Sequence, residues 1–305
     1  MNQQTVRLAN FVIGGTEKSG TTSVFMYLNA HPQVCGSSVK ETDFFREHYQ
    51  NAPDADRQNY GKYFARCASD KTVVMEASPG YLGAAAAVAP RMKALVPDAK
   101  ILFILRDPID RLYSSYQFHK SRLEIDQTIE FDEFVKRCMR YDRGDATPAE
   151  LGVGEWFLKN LGFGRYAVGL EEFLRHFPRD HVKVMLFEEL NRDLHGFMRD
   201  VCQYVNIDPS FFDTYEFKKT NVTFSSKNPV LHKLAVWFNG LAEPFLRQRP
   251  QIKQRLVAIY KSFNQRQEGY DPMPAAVRAE LQQYYAPSNR RLAELLPDAQ
   301  APWLR

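Results

Sequence analysis

No stretch of this 305-residue chain reaches the ~18 consecutive apolar residues a membrane-spanning helix needs. Met1 to Gly15 holds no long apolar run and no small-residue cleavage site, so no secretory leader is expected. Cysteine is scarce: Cys35, Cys67, Cys138 and Cys202 are scattered, with no CxxC pair and no metal spacing. The expectation is four reduced, buried thiols in a cytoplasm. Charge of one sign is also lacking. A net charge of +4 permits an anionic ligand without implying nucleic acid. No repeat and no low-complexity linker interrupts the chain. With 44% hydrophobic and 13% aromatic residues there is ample material for a core, which excludes a disordered chain.

Short apolar runs alternate with longer helical patterns. Asn10–Gly14, Val73–Glu76, Lys100–Leu105 and His181–Phe187 read as strands, and Val34–Ser37 as a weaker one. Continuous rather than alternating apolarity suits parallel strands covered on both faces. Helices are expected at Thr21–Ala30, Ala85–Val96, Ile109–Leu123 and Arg165–Phe177. The expected fold class is therefore α/β, a doubly wound parallel sheet of about five strands, with ligands at the carboxyl ends of the strands. One domain over 1–305 is expected, its core at about 6–215 and a helical extension at about 216–305. Final helices are expected at Pro274–Tyr285 and Ser288–Leu296. From Tyr215 to Tyr270 ten Lys/Arg face three Glu, a local +7 interleaved with Trp237, Phe238, Phe245, Tyr260 and Phe263. A plain surface helix pair, a lid, and a membrane-surface contact are all open readings of that segment.

The first strand runs into Ile13-Gly-Gly-Thr-Glu-Lys-Ser-Gly-Thr-Thr-Ser23 and then a helix. Glycines let backbone amides approach an anion, and the helix start adds N–H donors and a positive dipole end. Lys18 adds charge, and Ser19, Thr21 and Thr22 add hydroxyls. This is a place for a phosphate, but not the nucleotide-triphosphate loop. Gly15 and Gly20 have that spacing, yet Thr21 stands where its lysine belongs. The strand ending at Leu105 runs into Arg106-Asp-Pro. An arginine there can grip a phosphate with a bidentate fork, Pro108 fits a first helical turn, and Ser114 follows two turns on.

Lys18-Ser-Gly-Thr-Thr22 with His31-Pro32, and Arg106-Asp-Pro with a serine eight residues on, resemble the two signatures of the PAPS-dependent sulfotransferases. PAPS is 3′-phosphoadenosine-5′-phosphosulfate. The likeness extends to Lys40-Glu-Thr-Asp-Phe-Phe45 and Glu76-Ala-Ser-Pro-Gly-Tyr81, which are similar to motifs of the glycosaminoglycan branch. Gly164-Arg-Tyr166, Phe177-Pro-Arg-Asp180, Ser225-Ser-Lys-Asn-Pro229 and Leu281–Asn289 resemble later family segments. Ala77 departs from the pattern, standing where that branch has lysine, a contact that Lys40 could supply. The membrane anchor and cysteine pair of the Golgi enzymes are absent, and so is the Arg-Lys-Gly-x-x-Gly of the cytosolic enzymes, which suits a soluble, bacterial-type member.

The resemblance implies a P-loop-like fold and sulfuryl transfer from PAPS, leaving adenosine 3′,5′-bisphosphate, with no metal required. It implies that Lys18, Ser19, Gly20, Thr21 and Thr22 hold the 5′ side, Arg106 and Ser114 the 3′-phosphate, and Ser226, Lys227 and Asn228 close over the nucleotide. Glu41 becomes the general base, Lys18 the catalytic cation, and Lys40 and Tyr81 acceptor-side residues. Phe44 and Phe45 could raise the Glu41 pKa by desolvation and Lys40 could lower it. His31, His48 and His119 remain rival bases. The expected acceptor is a glycan or glycolipid, or else a small alcohol. A P-loop kinase or NTPase, and a non-catalytic nucleotide- or glycan-binding protein, are the competing readings.

Overall fold

The computed structural model describes residues 6–217 and 272–304. The elements are β1 (Phe11–Gly15), α1 (Thr21–Ala30), β2 (Val34–Gly36), α2 (Pro53–Gly61), β3 (Val73–Ala77), α3 (Ala85–Leu95), β4 (Lys100–Leu105) and α4 (Pro108–Ser121). They continue with α5 (Phe131–Asp142), α6 (Pro148–Leu151), α7 (Glu155–Lys159), α8 (Tyr166–His176), β5 (Val182–Leu186), α9 (Phe187–Arg192), α10 (Leu194–Val205) and α11 (Ala275–Leu295). None of the helices among the described residues is long and apolar enough to cross a membrane.

The five strands form one sheet in the order β2-β3-β1-β4-β5, every pair parallel. All residues of β1 and β3 are buried. Their continuous apolarity follows from the two faces being covered. Val12, Val74, Ile101, Phe103 and Leu105 face a core built with α3, α8 and the end of α11. Phe11, Ile13, Met75, Leu102 and Ile104 face the opposite core, built with α1 and α10. β1 lies between β3 and β4, so the crossovers leave to opposite sides at its carboxyl end, which is where open α/β sheets place ligands.

The described residues fall into two compact units. One gathers 6–111, 162–217 and 280–304 and holds the sheet; the other holds 112–161 and 272–279. The second is built on Phe131, Phe134, Val135 and Cys138, buried along one face of α5, with Tyr116 donating to the Ile129 carbonyl at 2.7 Å.

Two expectations are corrected. The last helix is continuous from Ala275 to Leu295, with Pro287 inside it. A proline there removes one backbone bond and crowds the preceding turn. Burial of Leu281, Tyr285 and Leu292 along one side outweighs that penalty. Cys35 and Cys67 are not free thiols but a disulfide, with Cα atoms 5.7 Å apart. The sequence hid the pair because 32 residues separate them and β2 with the turn after α2 brings them together. Disulfides persist in oxidising surroundings, so a cytoplasmic placement loses the support that four reduced thiols would have lent it. Cys138 and Cys202 are free and buried. A Cys67→Ser variant is expected to lose about 3–4 kcal/mol of stability, as closure of a loop of that length implies. Urea unfolding in the absence of reductant measures it.

Candidate active site at the strand-end rim

The β1–α1 loop is shaped by short-range bonds. Thr16 Oγ1 donates to the Ile104 carbonyl at 3.1 Å and lies 2.7 Å from Ser19 Oγ. The Ser19 side chain, fully buried, therefore ties the loop together, and its amide donates to the Thr16 carbonyl at 3.3 Å. Gly20 opens α1 at φ 82, and a Cβ there would lie 2.5 Å from Leu190 Cδ2, so the position requires glycine. Gly20 at the N-cap makes no side-chain cap bond, so the start of α1 presents backbone amides such as those of Thr21 and Thr22 to the loop. Lys18 stands at φ 64 beside them. Burial pulls its ammonium below the usual lysine value, Glu17 opposes this and Arg106 adds to it.

Arg106 leaves the end of β4, the strand next to β1. Its Nη1 donates to the Lys18 carbonyl at 3.1 Å, and its guanidinium lies 4.8 Å from the Phe187 ring centroid. The Arg106 carbonyl accepts from Tyr166 Oη at 2.9 Å. Two motifs that lie 88 residues apart thus meet at one rim. Half-buried cations beside the amides at a helix start fit a phosphorylated, dianionic ligand. Asp107 caps α4, accepting from the Ile109 N–H at 2.8 Å. Ser114 is carried on α4 in the second unit. Ser226, Lys227 and Asn228, with the basic aromatic segment around them, lie outside the described residues.

Glu41 reaches the same edge of the sheet. Its N–H donates to the carbonyl of Ala77, the last residue of β3, at 2.9 Å. Its side chain is exposed and ion-paired with Lys40. Phe44 and Phe45 do not desolvate it: both are buried among Tyr60, Tyr49 and Tyr81. Tyr81 is fully buried too, and its hydroxyl accepts from the Phe45 N–H at 3.3 Å. Among the histidines, His31 bonds the Asp208 carbonyl through Nε2 at 2.9 Å while its Nδ1 accepts from the Gln33 N–H. His119 pairs with Glu124 at 2.6 Å in the second unit, and His48 is exposed.

The residue that sequence reasoning missed is Glu76. It sits fully buried near the end of β3, where Thr42 and Ser78 donate to its Oε2. Burial raises its carboxyl to about 7, against the pull of the Thr42, Tyr81 and Tyr60 hydroxyls. The available signal was a glutamate in an otherwise apolar strand covered on both faces. A carboxyl whose folded pKa is raised holds its proton more tightly when folded. Its contribution to stability is complete below the unfolded value of 4.5 and is lost as pH rises through about 7. The shift corresponds to roughly 3 kcal/mol. Unfolding free energies at about pH 5 and about pH 8 are therefore expected to differ by roughly that much more in the wild type than in Glu76→Gln.

The family model described as "Sulfotransferase domain" matches residues 8–233. Over 98% of its length the chain is 28% identical to the human "Bifunctional heparan sulfate N-deacetylase/N-sulfotransferase 3", of which it covers 31%. Over 87% it is 29% identical to the human "Heparan sulfate glucosamine 3-O-sulfotransferase 3A1", covering 61% of that protein. The chain thus spans under a third of the first of these curated relatives and under two thirds of the second. A solved sulfotransferase from Alicyclobacillus acidocaldarius superposes with a TM-score of 0.65 at 26% identity, covering 98% of this chain and 100% of that one. With a phosphate-type loop, a strand-end arginine and a five-stranded parallel sheet in place, this chain belongs to the sulfotransferase family.

Proposed function

We propose that this domain moves a sulfuryl group from PAPS to an amine or hydroxyl of a glycan acceptor, with Glu41 as general base. The observation that carries the reading is the bond from Arg106 to the Lys18 carbonyl, which joins the two family motifs on adjacent strands. When bound, PAPS supplies the sulfuryl group and a bisphosphate leaving group. Lys18 and the first-turn amides of α1 would hold the 5′ side and neutralise charge gathering on the leaving oxygen. Arg106 would take the 3′-phosphate. Ser114, Ser226, Lys227 and Asn228 join it by their match to the family motifs. Glu41, paired with Lys40 at the rim, would accept the acceptor's proton. The heparan sulfate acceptors named for the relatives support a polysaccharide bearing both amines and hydroxyls.

The kinase reading needs a carboxylate for Mg²⁺ at the strand end, and Asp107 there is engaged as a helix cap. Calorimetry separates the readings. Adenosine 3′,5′-bisphosphate is expected to bind at least ~100-fold more tightly than ADP with Mg²⁺, and the reverse order would support a kinase. Labelled PAPS is then offered with N-deacetylated and with fully N-acetylated heparan chains. Label on either chain supports the proposal and assigns amine or hydroxyl. Bisphosphate binding without transfer to any glycan would mark a non-catalytic relative.

A further inference from the structure

The backbone around Glu41 is unusual. Glu41 stands at φ 64 and Asp43 at φ 46, two non-glycine residues in the left-handed region within three positions. Such conformations persist where the surroundings over-determine them. Here each of three successive amides is taken by a hydroxyl. Asp43 N–H donates to Ser78 Oγ at 3.1 Å, Phe44 N–H to Thr42 Oγ1 at 3.3 Å and Phe45 N–H to Tyr81 Oη at 3.3 Å. Thr42 and Ser78 pass the chain of bonds on, both donating to the same oxygen, Glu76 Oε2, with Ser78 at 3.4 Å. All four side chains are buried. The other Glu76 oxygen, Oε1, has no hydrogen-bond partner among the described residues, which leaves it to carry the proton when the carboxyl is neutral.

We propose that Glu76 is a positioning residue for transfer: through the Thr42 and Ser78 hydroxyls it fixes the strained turn over 41–45, and with it the direction of the Glu41 carboxylate. The inference rests on Glu41 being the base. A carboxylate accepts hydroxyl donors more strongly than a neutral carboxyl, so the ionised form grips the turn harder. The titratable groups facing it are Tyr60 on α2, Tyr63 just beyond α2, Tyr81 after β3 and Asp43 in the turn itself, none of them cationic. With no counter-charge among these four, its ionisation falls where burial places it, near neutrality. Turnover is therefore expected to rise with pH through about 7.

Two measurements on the whole chain test this, with Glu76→Gln as the isosteric variant and Glu41→Gln carried alongside. In Glu76→Gln, kcat is expected to fall about tenfold at pH ~8 and to lose the rise through neutrality, with KM for PAPS and bisphosphate affinity unchanged. Amide exchange at Asp43, Phe44 and Phe45 is expected to quicken about tenfold, with β1 and β4 unaffected. A wild-type pH profile together with unaltered exchange would overturn the proposal. Should Glu41→Gln retain turnover while Glu76→Gln still loosens 43–45, the choice of base fails and the hub stands. Should Glu41→Gln abolish transfer while Glu76→Gln changes neither readout, the hub fails alone.

Discussion

Glu41→Gln is expected to lower the rate of transfer at least ~100-fold while leaving affinity for adenosine 3′,5′-bisphosphate unchanged. The substitution keeps the size of the side chain and its place beyond β3, where the Glu41 N–H is held by the Ala77 carbonyl. It removes the carboxylate's basicity and nothing that touches the phosphate loop. The exposed carboxylate pairs with Lys40, so the pair must open for an acceptor hydroxyl or ammonium to be approached. Lys40 would thus orient the proposed base between turnovers. Single-turnover transfer of labelled sulfuryl, measured with bisphosphate titrations on the same preparations, reads both halves of the expectation. Near wild-type turnover would remove Glu41 from its role. His48 would then be the group to examine, since it closes the same turn and is exposed, whereas both ring nitrogens of His31 are engaged.

Arg106→Ala is expected to weaken bisphosphate binding by about 2–4 kcal/mol, roughly 30- to 1,000-fold in Kd, because a charge-assisted phosphate contact is lost. The guanidinium is pre-organised before any ligand arrives. Phe187 covers one face, and the Lys18 carbonyl takes one N–H at 3.1 Å. Lysine cannot reproduce a planar fork that serves a loop carbonyl and a phosphate together, so Arg106→Lys is expected to rescue little of the loss. The control is ADP, which has no 3′-phosphate and whose weaker affinity should barely change. Equal loss for both nucleotides would assign Arg106 to loop geometry instead, and unchanged affinity for both would break the 3′-phosphate assignment.

The place of both side chains at the strand-end rim was legible in the sequence for a reason that lies in the backbone. Parallel strands covered on two faces write themselves as unbroken apolar runs, and a parallel sheet gathers the residue after every strand at one edge. Lys18 and Arg106 each follow such a run, and Glu41 follows the short strand β2. What was not legible depended on contacts between distant residues. The Cys35–Cys67 bond needs the turn after α2 laid against β2. Tyr81 reads equally as a pocket or a core residue until its full burial against Phe45 is seen. Pro287 reads as a break until the buried face of α11 is counted against it. Glu76 is the instructive case. The sequence left open whether the two phenylalanines desolvate Glu41; folding buries those rings among Tyr60, Tyr49 and Tyr81, and the desolvated carboxyl is Glu76. The buried carboxylate that destabilises the fold near neutrality is also the one that anchors the turn bearing the exposed one. Strain and burial at a rim of this kind trade stability for position.

A crystal structure with adenosine 3′,5′-bisphosphate bound bears most directly on the claim that this rim is a donor site. The account predicts the 5′-phosphate against Lys18 and the first-turn amides of α1, with the 3′-phosphate on the Arg106 guanidinium. A nucleotide bound elsewhere, or bound here with its 3′-phosphate turned away from Arg106, would contradict it.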